Sequence, residues 1–399
     1  LASNIDQLPL LSLPMPLGGE MTFRMTESPI MEAALAAQMP GTKTYFGVST
    51  DDLHTTMRLT VTGTGIYALL STSLGMIAIE PMRHSVTKNM HFVYADNELN
   101  VTDFTCGFAN PSHGMLPDVG DYRGSCGNIG SALRQFRIAI AGTGELTTQY
   151  GSVSAASDFI VATLNGMTLV YEREFAVRLT LIAENNSIIF SNPLTDPFDP
   201  AAASLPINAH AGIVTVLNPS QFDIGHVFHY SGTSNSGIAG FGVVCSNGSK
   251  GRGWSSYTNL FFSRWVLLVS HELGHQFGAT HSFYGTESNC AARTAAGAYE
   301  PGSGTTIMSY QGICGSQNIG SVREDYFHAI SLQQIRTFIN GISCNTTIAT
   351  GNTPPVANAN PTAGAYTIPI QTPFEMTGTA TDANNDPITY CWDEYDSDG

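Results

Sequence analysis

The chain has 399 residues, 42% of them hydrophobic, which is enough to bury the cores of two or three domains. Only 12% are charged, and the net charge of −16 repels phosphate, which excludes nucleic acid as a partner class. No run of apolar residues reaches membrane-spanning length, and the expectation from Leu1, with no leader in view, is a processed or trimmed start.

Residues 1–133 read as a strand-rich module followed by a linker. A short helix is expected over 32–39. Residues 57–62 alternate polar and apolar side chains, the period of a half-buried strand. Strands follow at 67–71 and 76–79, with Gly63-Thr64-Gly65 as a turn. Residues 118–131, rich in Gly, Asp and Ser, read as an exposed linker.

A strand is expected over 134–141 and a long helix over 154–173, where Phe159, Ile160, Leu164, Met167 and Val170 recur at helical spacing. Strands at 177–182 and 187–190 follow. Strand, helix and strand in succession imply a crossover and a largely parallel sheet. Residues 193–206 read as a loop. His226 and His229 fall on a strand over 222–230 and read as strand residues rather than ligands. Residues 237–245 form a glycine-punctuated strand whose small side chains suit the close approach of another backbone. The helix over 265–277 is too apolar to face solvent.

That helix carries His271, Glu272 and His275, and Gly278 and His281 follow it, in the pattern H-E-x-x-H-x-x-G-x-x-H. Histidines four apart project from one helix face and can bind one metal ion. Gly278 lets the backbone leave the helix at positive φ, which swings His281 back as a third nitrogen ligand. Three protein ligands leave one position open for water, the pattern of a catalytic rather than a structural zinc site. Glu272 stands where its carboxylate reaches that water and can act as general base and acid.

The signature resembles that of the metzincin metalloproteases, which also carry a Met-turn, here Thr306-Ile307-Met308-Ser309-Tyr310. With Gly253, Cys290, the loop 299–304 and Cys314, the wider stretch resembles bacterial secreted reprolysin-type (adamalysin-like) proteases. Ser282 departs from the pattern, since animal reprolysins carry Asp after the third histidine. The resemblance implies an α/β (α+β) catalytic domain over 134–346, with a mainly parallel sheet, an antiparallel edge strand, a zinc helix and a C-terminal helix. It implies a strand-rich prodomain within 1–133, one catalytic Zn²⁺, protein or peptide substrates and a secreted enzyme. Gly237, Ile238, Ala239, Gly240 and Phe241 become the substrate-binding edge, and Met308 a packing floor under the histidines. Tyr310 is either a resting zinc ligand that swings to the oxyanion or a core aromatic. An inactive, protease-like adhesion protein would be expected to lose Glu272 or a ligand, and all four residues are kept.

Seven cysteines contain no C-x-x-C pair, so a zinc knuckle is not expected. In an oxidising compartment most would pair. Cys290–Cys314 would staple the loop between the third ligand and the Met-turn, and Cys245–Cys344 would tie the substrate strand to the C-terminal helix across a long loop. Cys106 or Cys126 could place a thiolate on the open zinc position, or the two could pair with each other.

The C-terminal helix is expected to start with Ser331 and Gln334 as a capping box, run through Ile335 and Phe338, and stop near Gly341. After a linker at 352–355, residues 352–399 resemble the start of a cadherin-like or immunoglobulin-like β-sandwich, with strands over 377–387 and 388–392. A sandwich needs about 100 residues, so the module is incomplete here. Asp382 and Asp386 could bind Ca²⁺ or form a solvated turn.

Overall fold

The computed structural model describes residues 7–82, 90–99, 105–107, 129–259, 261–320, 323–359 and 367–395. Seven strands come first and join in sequence order as one antiparallel sheet. They are β1 (Leu10–Pro14), β2 (Glu20–Glu27), β3 (Lys43–Ser49), β4 (Thr56–Thr62), β5 (Gly65–Thr72), β6 (Gly75–Pro81) and β7 (His91–Ala95). A short helix, α1 (Ala33–Gln38), lies between β2 and β3. Alternation sends successive side chains to opposite faces. On β5, Ala68 and Leu70 join Phe23, Met57 and Leu59 in a core belonging to the sheet itself. Tyr67 and Leu69 face the other way and enter the main core of the molecule.

The second sheet has the spatial order β10-β9-β11-β13-β12-β8. Its strands are β8 (Thr105–Cys106), β9 (Ala132–Gly142), β10 (Val177–Leu181), β11 (Ile224–Tyr230), β12 (Ser236–Ala239) and β13 (Gly253–Tyr257). β10, β9, β11 and β13 are mutually parallel, and β12 runs antiparallel to β13. Phe136, Ile138 and Ile140 of β9 point into the main core, while Ala139 and Ala141 point into a smaller core on the opposite face.

Helices α2 (Gly144–Tyr150) and α3 (Val153–Phe175) connect β9 to β10. By length and composition α3 could cross a membrane, which corrects the expectation that no segment reaches that size. Residues 156–171 of α3 are all buried within the protein, so the apolar surface on every side of this helix is already covered. Helix α4 (Leu205–Val214) covers the smaller core through Ala209 and Ile213. Helix α5 (Phe262–Gln276) lies on the main-core side with every residue buried. Helix α6 (Ala329–Asn340) ends at Gly341, and β14 (Thr346–Ala349) then pairs antiparallel with β9.

Residues from the first module reach both edges of the second sheet. Met31 bridges Leu181 on β10, where Leu181 N–H donates to the Ile30 carbonyl at 2.7 Å and Glu32 N–H to the Leu181 carbonyl at 2.9 Å. At the far edge β8 pairs with β12 in parallel.

Four further expectations are corrected. Residues 187–190 are not a strand: a 3₁₀ turn spans Asn185–Ile188, because the Asn185 side chain bonds both the N–H and the carbonyl of Ile140 and curls the chain there. The strand expected over 237–245 stops at Ala239, since Gly242 and Cys245 take left-handed conformations, and β13 intervenes before α5. Helix α6 begins earlier than the capping box suggested, with His328 as its cap and Ser331 inside the helix. Residues 388–392 form no strand; instead β15 (Val356–Asn358) pairs with β16 (Thr379–Thr381).

Candidate active site

His271 and His275 stand one turn apart on α5, so both rings leave the same helix face. Gly278 follows the helix at φ +87°, a conformation a side chain resists, and the chain turns back to bring His281 under the same face. The Nε2 of His275 lies 3.2 Å from the Nε2 of His271 and 3.2 Å from that of His281. Two ligands about 2.0 Å from one tetrahedral ion stand about 3.3 Å apart, so the spacing fits a single zinc. Nδ1 of His271 donates to the Ile307 carbonyl at 2.7 Å, and Nδ1 of His275 to the Ala279 carbonyl at 2.7 Å. A carbonyl only accepts, so these bonds put the proton on Nδ1 and leave the Nε2 lone pair for a metal. Burial keeps the rings neutral: it holds the pKa of His275 down to about 3 and those of His271 and His281 well below the ordinary value.

A fourth donor completes the cluster. Cys106 Sγ lies 3.5 Å from His275 Nε2, and the ligand atoms of Cys106, His271, His275 and His281 all fall within 4.8 Å of one another. Cys106 arrives on β8. There Thr105 N–H donates to the Asn235 carbonyl at 3.1 Å and Gly107 N–H to the Gly237 carbonyl at 2.8 Å. Cys126 lies outside the described residues.

Glu272 is fully buried beside His271, and neither carboxylate oxygen makes a hydrogen bond of ordinary geometry. Burial pushes its carboxyl up to about 8, with the nearby Cys106 thiol pulling the other way. A buried carboxylate with no hydrogen bond of ordinary geometry is costly, and its place beside three lone pairs suits a metal and its water. Gly237 on β12 passes directly over it; a Cβ there would stand 2.2 Å from Glu272 Oε1. Of the five residues expected to form the substrate edge, Gly237, Ile238 and Ala239 lie on β12, whereas Gly240 and Phe241 lie in the turn beyond.

Met308 packs below α5, so closely that a Cβ on Gly274 would lie 2.5 Å from its sulfur. The Tyr310 ring lies 4.3 Å from that of His281 and 4.6 Å from that of Phe283, between centroids. Its hydroxyl donates to the backbone carbonyl of Cys106. Burial raises the pKa of this phenol, so it stays a donor.

Two supporting residues, Glu300 and Gln334, have roles that their local sequence does not signal. Glu300 is a buried hub: Ser282 Oγ and Thr306 Oγ1 donate to one carboxylate oxygen, and the N–H groups of Thr305 and Thr306 donate to the other at 2.8 and 3.1 Å. The carboxylate sits against the residue after the third histidine, but it comes from a different loop. Gln334 Oε1 accepts from Thr280 N–H at 2.9 Å and pins the turn that carries His281. Tyr299-Glu300-Pro301 was visible as a motif, yet nothing in its spacing signals a partner at Ser282.

Among the described residues the disulfides are Cys245–Cys344 and Cys290–Cys314. His226 and His229 stay outside the cluster. His226 bonds Gln276 and Ser255 at 2.9 Å each, and His229 lies 3.1 Å from Thr143 Oγ1. Asp386 is exposed and Asp382 half-buried, and Asp382 Oδ1 is occupied by the N–H groups of Asn384 and Asp386 at 2.8 and 3.0 Å, as in an Asx-type turn.

Residues 132–337 match the family model described as metallo-peptidase family M12B, reprolysin-like. No curated protein matches the chain. Among solved structures, metalloproteinase-II from Bacteroides fragilis overlaps at TM-score 0.44 and 9% identity, covering 82% of this chain and 90% of that one. A chaperone–substrate complex overlaps at TM-score 0.29 and 12% identity, covering 71% of this chain and 39% of that one.

Proposed function

The chain belongs to the reprolysin-like metallopeptidase family M12B, and from that premise we propose that it is a secreted zinc endopeptidase held latent by its own N-terminal arm. The observation that carries the reading is the convergence of three lone pairs, from His271, His275 and His281, beside the buried carboxylate of Glu272. Those histidines would hold one zinc ion, which when bound supplies Lewis-acid chemistry and lowers the pKa of water towards about 7.

The protein's own groups do the rest. Glu272 takes the proton from water and later returns it to the leaving amine. The backbone of Gly237, Ile238 and Ala239 aligns an extended peptide by strand pairing. Tyr310 donates a hydrogen bond to the developing oxyanion, an interaction strongest at the transition state. The two disulfides suit the oxidising surroundings of a secreted protein.

The segment 105–107 supports latency. It lies along the edge of β12 that a substrate would use, and its Cys106 sulfur stands where a fourth ligand belongs. Cys106 is therefore the residue we assign to that position.

The test combines metal analysis with mass-spectrometric mapping of products from a denatured protein mixture. One zinc per chain is expected, with peptide cleavage that appears after the arm is removed and is lost in Glu272→Ala. Zinc binding without any cleavage in the trimmed protein would favour the inactive, adhesive reading instead.

A further inference from the structure

We propose that the seven-stranded N-terminal sheet is a permanent subunit of the mature enzyme, and that activation removes only the arm around Cys106. The proposal rests on the latency reading for the arm, but the sheet is argued from separate contacts.

The first contact is at the start of the zinc helix. The opening N–H groups of any helix lack intrahelical acceptors, and Phe261, at the N-cap of α5, provides no side-chain acceptor. The N-terminal sheet provides them. Glu80 Oε1, from β6, accepts from Phe262 N–H at 2.9 Å. Tyr94 Oη, from β7, accepts from Ser263 N–H at 3.4 Å and donates to Glu80 Oε1 at 2.8 Å. Just past β7, Asp96 Oδ1 accepts from Ser263 Oγ at 2.6 Å and lies 3.1 Å from Arg264 Nε. Two buried carboxylates thus stand at the positive end of the helix dipole, where anions are stabilising. The helix that positions His271, Glu272 and His275 is capped from outside the family-matched region.

The second is a shared core. Tyr67, Leu69, Met76 and Ala78 belong to one cluster with Phe159, Phe262 and Trp265, and the Tyr67 and Phe262 rings lie 5.1 Å apart. Asn165 Nδ2, within α3, donates to the Leu59 carbonyl on β4 at 3.0 Å, and Glu172 at the end of α3 pairs with Arg58. Stripping the sheet away would bare a large apolar face, which a secreted monomer does not tolerate well. The third is the bridge of Met31 to β10, which covers an edge that catalysis does not need.

The arm is different in kind. Its described residues, 105–107, are a single short strand whose contacts include two backbone hydrogen bonds to the β12 region, the Cys106 thiol and the Tyr310 hydroxyl, and they lie on the edge that substrate must use. Activity requires the arm to leave and gives no reason for the sheet to follow it.

The test uses the full, zinc-loaded chain with recognition sequences for two site-specific proteases, one inserted within 100–104 and the other within 108–128. Both cuts are made, and the products are separated by size in native buffer and in denaturant, with mass spectrometry on each peak. The expected result is that the arm peptide is lost, peptidase activity rises at least about 10-fold, and the sheet fragment co-elutes one-to-one with the catalytic fragment until denaturant is added. Glu80→Gln with Asp96→Asn should make the cut sheet fragment dissociate in native buffer. A sheet fragment that separates from unsubstituted protein, leaving a folded, zinc-loaded and active catalytic fragment, overturns the proposal. Co-elution with zinc bound but no cleavage of any peptide would instead fault the endopeptidase reading and leave the subunit in place.

Discussion

The hydroxyl of Tyr310 donates a hydrogen bond to the backbone carbonyl of Cys106 at 2.8 Å. A phenol has one proton to donate, so while the arm is seated Tyr310 cannot serve a substrate. In the trimmed enzyme, Tyr310→Phe should lower kcat by about 10²- to 10³-fold, the worth of one oxyanion donor. KM and zinc content should hardly move, because Phe keeps the ring packing against Phe283 and His281. Steady-state kinetics with metal analysis check this, and an unaltered kcat would leave Tyr310 as a packing residue.

Glu272→Ala should retain one zinc and lose at least about 10²-fold in rate, the lower end for a general acid–base group. The three histidines are untouched, and their Nδ1 bonds to Ile307 and Ala279 do not involve Glu272. Near-normal proteolysis by a clean preparation would remove Glu272 from the mechanism.

Cys106→Ala should make the uncut chain at least about 10-fold more active while leaving trimmed activity unchanged, because the fourth donor of the cluster is gone. Non-reducing peptide mapping of the uncut chain separates this from the alternative. A linked Cys106–Cys126 peptide would show that the arm blocks the site without a thiolate.

Glu300→Gln should destabilise the fold by roughly 3 kcal/mol, since buried donors from Ser282, Thr305 and Thr306 would meet an amide in place of a charge. Urea unfolding at pH 7 measures the loss. Zinc affinity should fall with it, because Ser282 adjoins the third ligand.

Stability should also decline with acid. Burial holds His226 at a pKa of about 4 in the folded protein, below the ordinary histidine value. The unfolded chain therefore binds the extra proton first as pH falls from about 6.5 towards 4. Folding loses roughly 2 kcal/mol from this histidine by pH 5, and almost nothing from it above pH 7. The urea midpoint at pH 5 against pH 7 measures the slope, and His226→Gln should make it shallower, with His229, which burial also holds down to about 4, keeping part of it.

The zinc motif was legible because its residues are close in sequence and its geometry is set by one helix and one glycine. The alternation on β9 and the length of α3 were equally local. What escaped was set at a distance. Asn185 bends the chain at 185–188 by bonding Ile140, which no local pattern announces. Ser331 and Gln334 have the spacing of a cap, but Gln334 is engaged with Thr280 and His328 does the capping. The role of Glu80 was invisible for the same reason: its partner, Phe262, lies in another sheet's helix. Local rules locate elements, and tertiary contacts decide which side chains they use.

The capping of α5 by Glu80 and Tyr94 bears on the order of folding. Strands β1 to β7 each pair with the next in sequence, so their sheet is made of short-range contacts that close quickly. The catalytic sheet instead pairs β9 with β10 across the α2–α3 crossover, and β9 with β11 across that crossover, β10 and α4, a slower search. Ribosomes deliver the chain from its N-terminus, and early units fold as they emerge. The surface carrying Glu80 and Tyr94 can therefore be complete before Phe262 is translated, and α5 then nucleates against a finished template. Synthesis order, kinetics and the site are joined at that one carboxylate.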